Sequence, residues 1–213
     1  MFHGYVPDTM KTLLPFILSA IFSTSALADL TLVNETQLNG IKSRTTMWIK
    51  GDKTRADNDT TSSVIMNTTT GDMITLVHEQ KMIIKTNTKE LEALSAKSTN
   101  SAKITVNAST VTATGKMETV DGHECEIYLV KNLDTVVKMW VAKNYPGQEK
   151  IRTELKVLTK MSSEGNKQPD VPGIALKTEF EQQGMKFITT LVSIKSGPVD
   201  EAHFTIPADY KAP

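Results

Sequence analysis

Met-Lys-Phe-Ile-Thr-Thr-Leu-Val-Ser-Ile-Lys, residues 185–195, decides the fold. In an extended strand successive side chains point to opposite faces. Phe187 and Leu191 then face one way, and Ile188, Val192 and Ile194 the other. Thr135–Ala142 repeats the pattern, with Val137, Met139 and Val141 opposed to Val136 and Trp140. A sheet with one wet face would alternate apolar and polar residues more cleanly. Both faces therefore need cover, and two helical segments are the candidates for it. The fold class expected is α+β: a large curved antiparallel sheet, an incomplete β-barrel, with two helices packed on its concave face.

Working outward, runs rich in β-branched residues alternate with turn signals. Asp29–Gln37 and Lys42–Lys50 flank Asn39-Gly40, a hairpin dipeptide. Lys53–Asn58, Ser63–Asn67, Asp72–His78 and Lys81–Thr86 follow, punctuated by Gly51-Asp52 and Thr70-Gly71. Lys103–Thr114, Glu124–Lys131 and Ile174–Glu181 complete the expected strands. Lys89–Lys97 carries good helix formers, with Leu91 and Leu94 three apart. Gln148–Met161 places Ile151, Leu155, Leu158 and Met161 on one face, which predicts an amphipathic helix after Pro146-Gly147. Flanked by that dipeptide and the Gly165–Gly173 loop, it is expected to act as a mobile lid.

The first 28 residues have a different character. Met10-Lys11 precedes an apolar run, Leu13–Phe22, and then Ala26-Leu27-Ala28, a small-x-small cleavage site. That is an export signal, starting at Met10 and cut after Ala28. Its apolar run is too short to span a bilayer. The mature chain is read as Asp29–Pro213, a single periplasmic, soluble domain of about 185 residues with no membrane segment. Asn34, Asn58, Asn67 and Asn107 begin glycosylation sequons, relevant only to a eukaryotic secretory route.

Charge is balanced, with 24 Lys+Arg against 24 Asp+Glu. The whole-surface attraction that nucleic-acid binding requires is missing. Cys125 is the only cysteine, so no internal disulfide forms, and no cysteine follows the signal to take a lipid anchor. A metal site needs three or four converging ligands, and His123-Glu124-Cys125-Glu126 has no second cluster beside it. Cys125 reads as a small buried hydrophobe. A hydrolase using Cys125 with His78 or His203 is the enzymatic alternative, without any familiar hydrolase context around those residues. No enzyme activity and no cofactor are expected. Eight of the ten methionines follow Ala28, and this flexible side chain suits either an irregular core or an adaptable apolar pocket.

Thr46-Met47-Trp48-Ile49-Lys50, then Val64-Ile65-Met66-Asn67 and Asp72–Thr86, resembles the LolA/LolB-type lipoprotein carriers. The ending Phe204-Thr205-Ile206-Pro207-Ala208-Asp209-Tyr210-Lys211 is similar to their Phe-x-aliphatic-Pro ending. Gly51–Arg55 and Pro172–Lys177 resemble motifs of an uncharacterised exported family related to these carriers. Two departures stand out: Gly51 occupies the place of the carriers' lid-holding arginine, and Asp29 opens directly into strand rather than helix. The resemblance implies an incomplete barrel whose enclosed surface holds acyl chains.

The expected function is that of a monomeric periplasmic binding protein, possibly a carrier, for a lipid, a lipidated protein or another apolar ligand. The expected lining is Trp48, Met73, Met82, Met139, Trp140, Phe187 and the helix face Ile151, Leu155 and Leu158. The alternative is an envelope protein-interaction or stress-sensor domain on the same fold.

Overall fold

The computed structural model describes residues 29–91, 93, 110–132, 135–159 and 169–213. The export signal, residues 103–109 of an expected strand and residues 94–97 of the first expected helix lie outside them. Eleven strands form one curved, unclosed antiparallel sheet. They are β1 (Asp29–Leu38), β2 (Ile41–Lys50), β3 (Lys53–Asn58), β4 (Ser62–Asn67), β5 (Asp72–Val77), β6 (Met82–Asn87), β7 (Thr110–Val120), β8 (His123–Asn132), β9 (Thr135–Ala142), β10 (Ile174–Gln182) and β11 (Met185–Ser196). Residues 88–91 begin a helical turn after β6. Helix α1 spans Gln148–Thr159, and a 3-10 turn, η1, spans Glu201–Phe204.

The sheet order is β6-β5-β4-β3-β2-β1-β11-β10-β9-β8-β7. Two antiparallel meanders, each built from neighbouring hairpins, are therefore joined where the first strand pairs with the last. Asn39-Gly40 makes the first hairpin as its composition predicts, with both residues at positive φ, 47° and 90°. The β7 strand differs from expectation: it runs to Val120 and turns at Asp121-Gly122. The register slips between Ala113 and Met117, and Gly115 sits there at φ 70°. A bulge lets the strand continue beyond the glycine that would have ended it.

Burial on both faces is clearest in β9. Met139 and Val141 belong to one cluster with Tyr128, Val130 and Val171. Trp140 and Ala142 belong to another with Cys125, Ile127, Ile174 and Leu176. That second cluster runs on through Leu30, Leu32 and Ile49 to Ile151 of α1. The start of α1 thus packs into the core. Gly173 crosses so close to β9 that an added Cβ would lie 2.3 Å from the Ala142 carbonyl oxygen.

Part of the cover comes from a segment outside α1, the stretch after β11 that contains η1. After β11 the chain runs back across β1–β6. Gly197 N donates to Asp29 O (3.0 Å) and Lys50 Nζ to Val199 O (2.7 Å). Lys53 pairs with Glu201, and Arg55 Nη1 donates to His203 O (2.8 Å). Lys211 is hydrogen-bonded on both sides to the Lys81–Ile83 backbone. Beneath this strap lie Ile65, Leu76 and Ser63, all buried.

Leu30→Ala should lower the free energy of unfolding by about 3 kcal/mol, as a large-to-small change at a fully buried site does. Ile41→Ala, at a residue 76% exposed, should stay within about 0.5 kcal/mol. Urea unfolding followed by tryptophan fluorescence measures both.

Candidate functional site

A groove of about 580 Å³ lies along the β1–β11 seam. Leu32 and Met47 form one wall with Leu191 and Ile194; Met139 and Ala175 stand on the other side; Leu155 of α1 comes over it. The polar lining of the floor is Asn34, Thr178 and Thr189. A register shift between Val33 and Asn34 falls within this stretch of the seam. There β11 carries one extra residue, Val192, as a bulge in its ladder with β1. At the rim Arg152 Nη2 donates to Asp170 Oδ1 (3.0 Å), joining α1 to the segment that leads into β10. Lys156 stands on the same rim.

The residues expected to line a cavity do not all meet here. Met139 and Leu155 line the groove. Ile151 is buried in the core one turn before Leu155. Trp140 points to the other face of β9, where its indole N–H donates to Glu118 Oε2 (2.6 Å) and the Lys138 and Lys177 ammonium groups lie 4.2 Å from the ring. Trp48 stacks on His203 under the strap, with ring centres 4.3 Å apart. Phe187 stacks on its cross-strand partner Phe180 at 4.7 Å. Met73 pairs with Met66, and Met82 bridges to Lys211, both toward the outer edge of the first meander. Leu158 falls in α1, but its side chain lies outside the described residues. Leu32, Met47, Leu191 and Ile194 were not anticipated. Their even spacing along strands was visible, whereas which two strands would share a seam was not.

The groups considered for nucleophilic chemistry are held apart. Cys125 is buried, its Sγ 3.5 Å from the His123 carbonyl oxygen, and burial pushes the thiol above its ordinary pKa. His203 stacks on Trp48. His78 instead joins a chain the sequence did not suggest: its Nε2 lies 2.9 Å from Ser63 Oγ and its Nδ1 2.6 Å from the Tyr210 hydroxyl. Arg55 Nη2 donates to the same Ser63 oxygen (2.9 Å). Ser63 is 0% exposed, so this serine–histidine pair ties the strap to the sheet rather than facing a substrate. Among the described residues no group of three or more His, Cys, Asp or Glu could hold a metal ion. Among them, too, no helix is long and apolar enough to cross a membrane.

On the face of β8 and β9 that carries Met139, the Tyr128 hydroxyl donates to Glu126 Oε2 (2.8 Å), which also pairs with Lys143. The Lys143 hydrogen bond, helped by Tyr128, holds the Glu126 carboxyl below the usual carboxylate range.

Residues 29–210 match the model of DUF4412, a domain of unknown function, and the chain belongs to that family. A search of curated proteins finds no match. Solved structures of similar shape include PNGF-II, which is 11% identical, with a TM-score of 0.42 over 87% of this chain. The Pseudomonas aeruginosa MucA/MucB complex is 10% identical, with a TM-score of 0.46 over 88%. A LolA superfamily protein from Nitrosomonas europaea is 12% identical, with a TM-score of 0.34 over 84%. The match covers 30% of the PNGF-II chain, 58% of the MucA/MucB chain and 90% of the LolA superfamily chain.

The Cys125 thiol should resist a thiol-specific reagent in the native protein at pH 8 for many times longer than in urea, where one equivalent should react at once. Comparable rates in both conditions would contradict its burial.

Proposed function

We propose that this DUF4412-family chain is an exported binding protein for an apolar ligand, a lipid or acyl chain by preference. The observation that carries the reading is the seam groove. Its walls are Leu, Ile and Met, its few polar groups sit at the floor and rim, and its volume lies within the roughly 300–1,000 Å³ typical of ligand pockets. Met47 and Met139 on opposite sides give walls that adapt to chains of different shape. Binding is driven by apolar area removed from water, at roughly 25 cal/mol per Å².

In this reading the groove opens on the concave side of the sheet, and the later part of α1, from Leu155 toward Leu158, moves to admit ligand while Ile151 stays in the core. Residues 1–28 direct export to the periplasm and are removed after Ala28. The mature chain then works there as a soluble monomer, without enzymatic activity.

A protein-interaction role is the second reading, and one observation favours it. Strand β7 ends the sheet, and Thr110–Val120 is exposed over most of its length, with Met117 among the exposed large apolar residues. An open edge of this kind can pair with an extended segment of another protein.

Native mass spectrometry of protein purified from its own periplasm, with uptake of a fluorescent fatty acid, tests the binding reading. A bound lipid mass and saturable uptake are expected; an apo mass with no uptake would sink it. Leu155→Asp should keep the fold, because this side chain is only half-buried, and weaken uptake at least ten-fold. Ile151→Asp should unfold the chain, because it buries an unpaired charge.

A further inference from the structure

A second pocket, of about 450 Å³, has the charged residues Asp29, Lys50, Asp52, Lys150 and Glu154 in its lining. We propose that the α-ammonium group created by cleavage before Asp29 seats against Glu154 in this pocket, so that an ion pair locks the processed chain at the β1–β11 seam. The proposal rests on the export reading above.

Glu154 is the telling residue. It is 6% exposed, yet its Oε2 is buried with no hydrogen-bond partner among the described residues. Its Oε1 accepts from Ser196 Oγ (2.9 Å). A buried carboxylate oxygen left unpaired is costly, and a cationic donor relieves that cost most fully. The other charges around the pocket are already engaged. Asp29 Oδ2 accepts from Val199 N (3.0 Å), Asp52 Oδ2 from Asn67 Nδ2 (2.9 Å), and Lys50 Nζ donates to Val199 O. Lys150 comes no nearer than 3.8 Å to Glu154, at Oε1, from a side chain 64% exposed. Such a pair is screened and weak.

Strand geometry brings the chain's own amino end to the same pocket. Leu30 lies directly opposite Ser196, so the carboxylate bound to Ser196 sits one residue from Asp29. Gly197 N donates to Asp29 O (3.0 Å), which turns the Asp29 carbonyl toward β11. In an antiparallel ladder the N–H and C=O of one residue face the same neighbour. The Asp29 nitrogen therefore faces β11, at Gly197, rather than β2, and Asp29 lines the same pocket as Glu154. Before cleavage it is a neutral amide with one proton; afterwards it is an ammonium with three donors. Processing thus creates a cation on a residue that shares the pocket with the unpaired Glu154 oxygen.

The full chain is expressed with its signal, purified from the periplasm, and its first residue determined by intact mass. It is compared with the same protein carrying one extra Met before Asp29, both with Glu154 and with Glu154→Gln. The extension should lower Tm by about 3–6 °C with Glu154 present and have no effect in Glu154→Gln. No effect with Glu154, or an equal drop in both backgrounds, overturns the proposal. A Tm rise on adding methylammonium, with no effect of the extension, would assign the pocket to a soluble amine and also overturn it. Should Glu154→Gln fail to fold, reactivity decides: at neutral pH acetic anhydride should modify the Asp29 amino group at least ten-fold more slowly than that of the extended chain. Equal rates overturn the pairing. A first residue other than Asp29 would overturn the export reading alone, and a chain made to begin at Asp29 by removal of a tag would still test the ion pair.

Discussion

The pairing of β1 with β11 is the constraint on which the rest of the molecule depends. Every other ladder in the sheet joins strands that are neighbours in sequence, most of them through a tight turn. This one joins the first strand to the last, with Leu30 opposite Ser196 and Leu38 opposite Phe187. Without it there are two meanders, each with an edge exposed and one side of its core missing. Leu30 and Leu32 on β1 share a cluster with Trp140, Ile174 and Leu176 of the other meander, so the seam completes the core as well as the sheet. A contact of such long sequence separation forms late, after its loop-closure entropy has been met.

Two further segments hold the seam, one on each side of the problem. Helix α1 buries Ile151 against residues of β1 and β2 and anchors Glu154 on Ser196. The strap after β11 binds successive strands of the first meander through main-chain carbonyls, from Asp29 to Lys81. The His78–Ser63–Arg55 chain beneath it consists of polar groups that satisfy one another, as buried polar groups must. Its role is to fix the far end of the strap at Tyr210.

The groove follows from the same junction. The β1–β11 ladder carries a register shift at Val33/Asn34, and the nearby β9–β10 ladder another between Ala175 and Lys177. The apolar side chains that the adjoining strands present there, chiefly Leu32, Met47, Met139, Leu191 and Ile194, line the groove.

The sequence by itself determined the strands, most of the turns and the need for cover on both faces. These are local properties: alternation along a strand, an Asn-Gly pair able to take positive φ, an apolar stripe at helical spacing in Gln148–Thr159. It also named Met139 and Leu155, which line the groove, and Ile151, on the stripe, which enters the core. Only the tertiary structure decided which faces meet. Trp140 and Met139 are adjacent and equally apolar, yet one packs into the core under two lysines and the other lines the groove. Trp48 looked like a cavity residue and is the platform for His203. The physical reason is parity: a shift of one residue, or one bulge as at Ala175/Lys177, exchanges the two faces of a strand. Strand pairing and bulge position are set by contacts between residues far apart in the chain, so no local pattern records them.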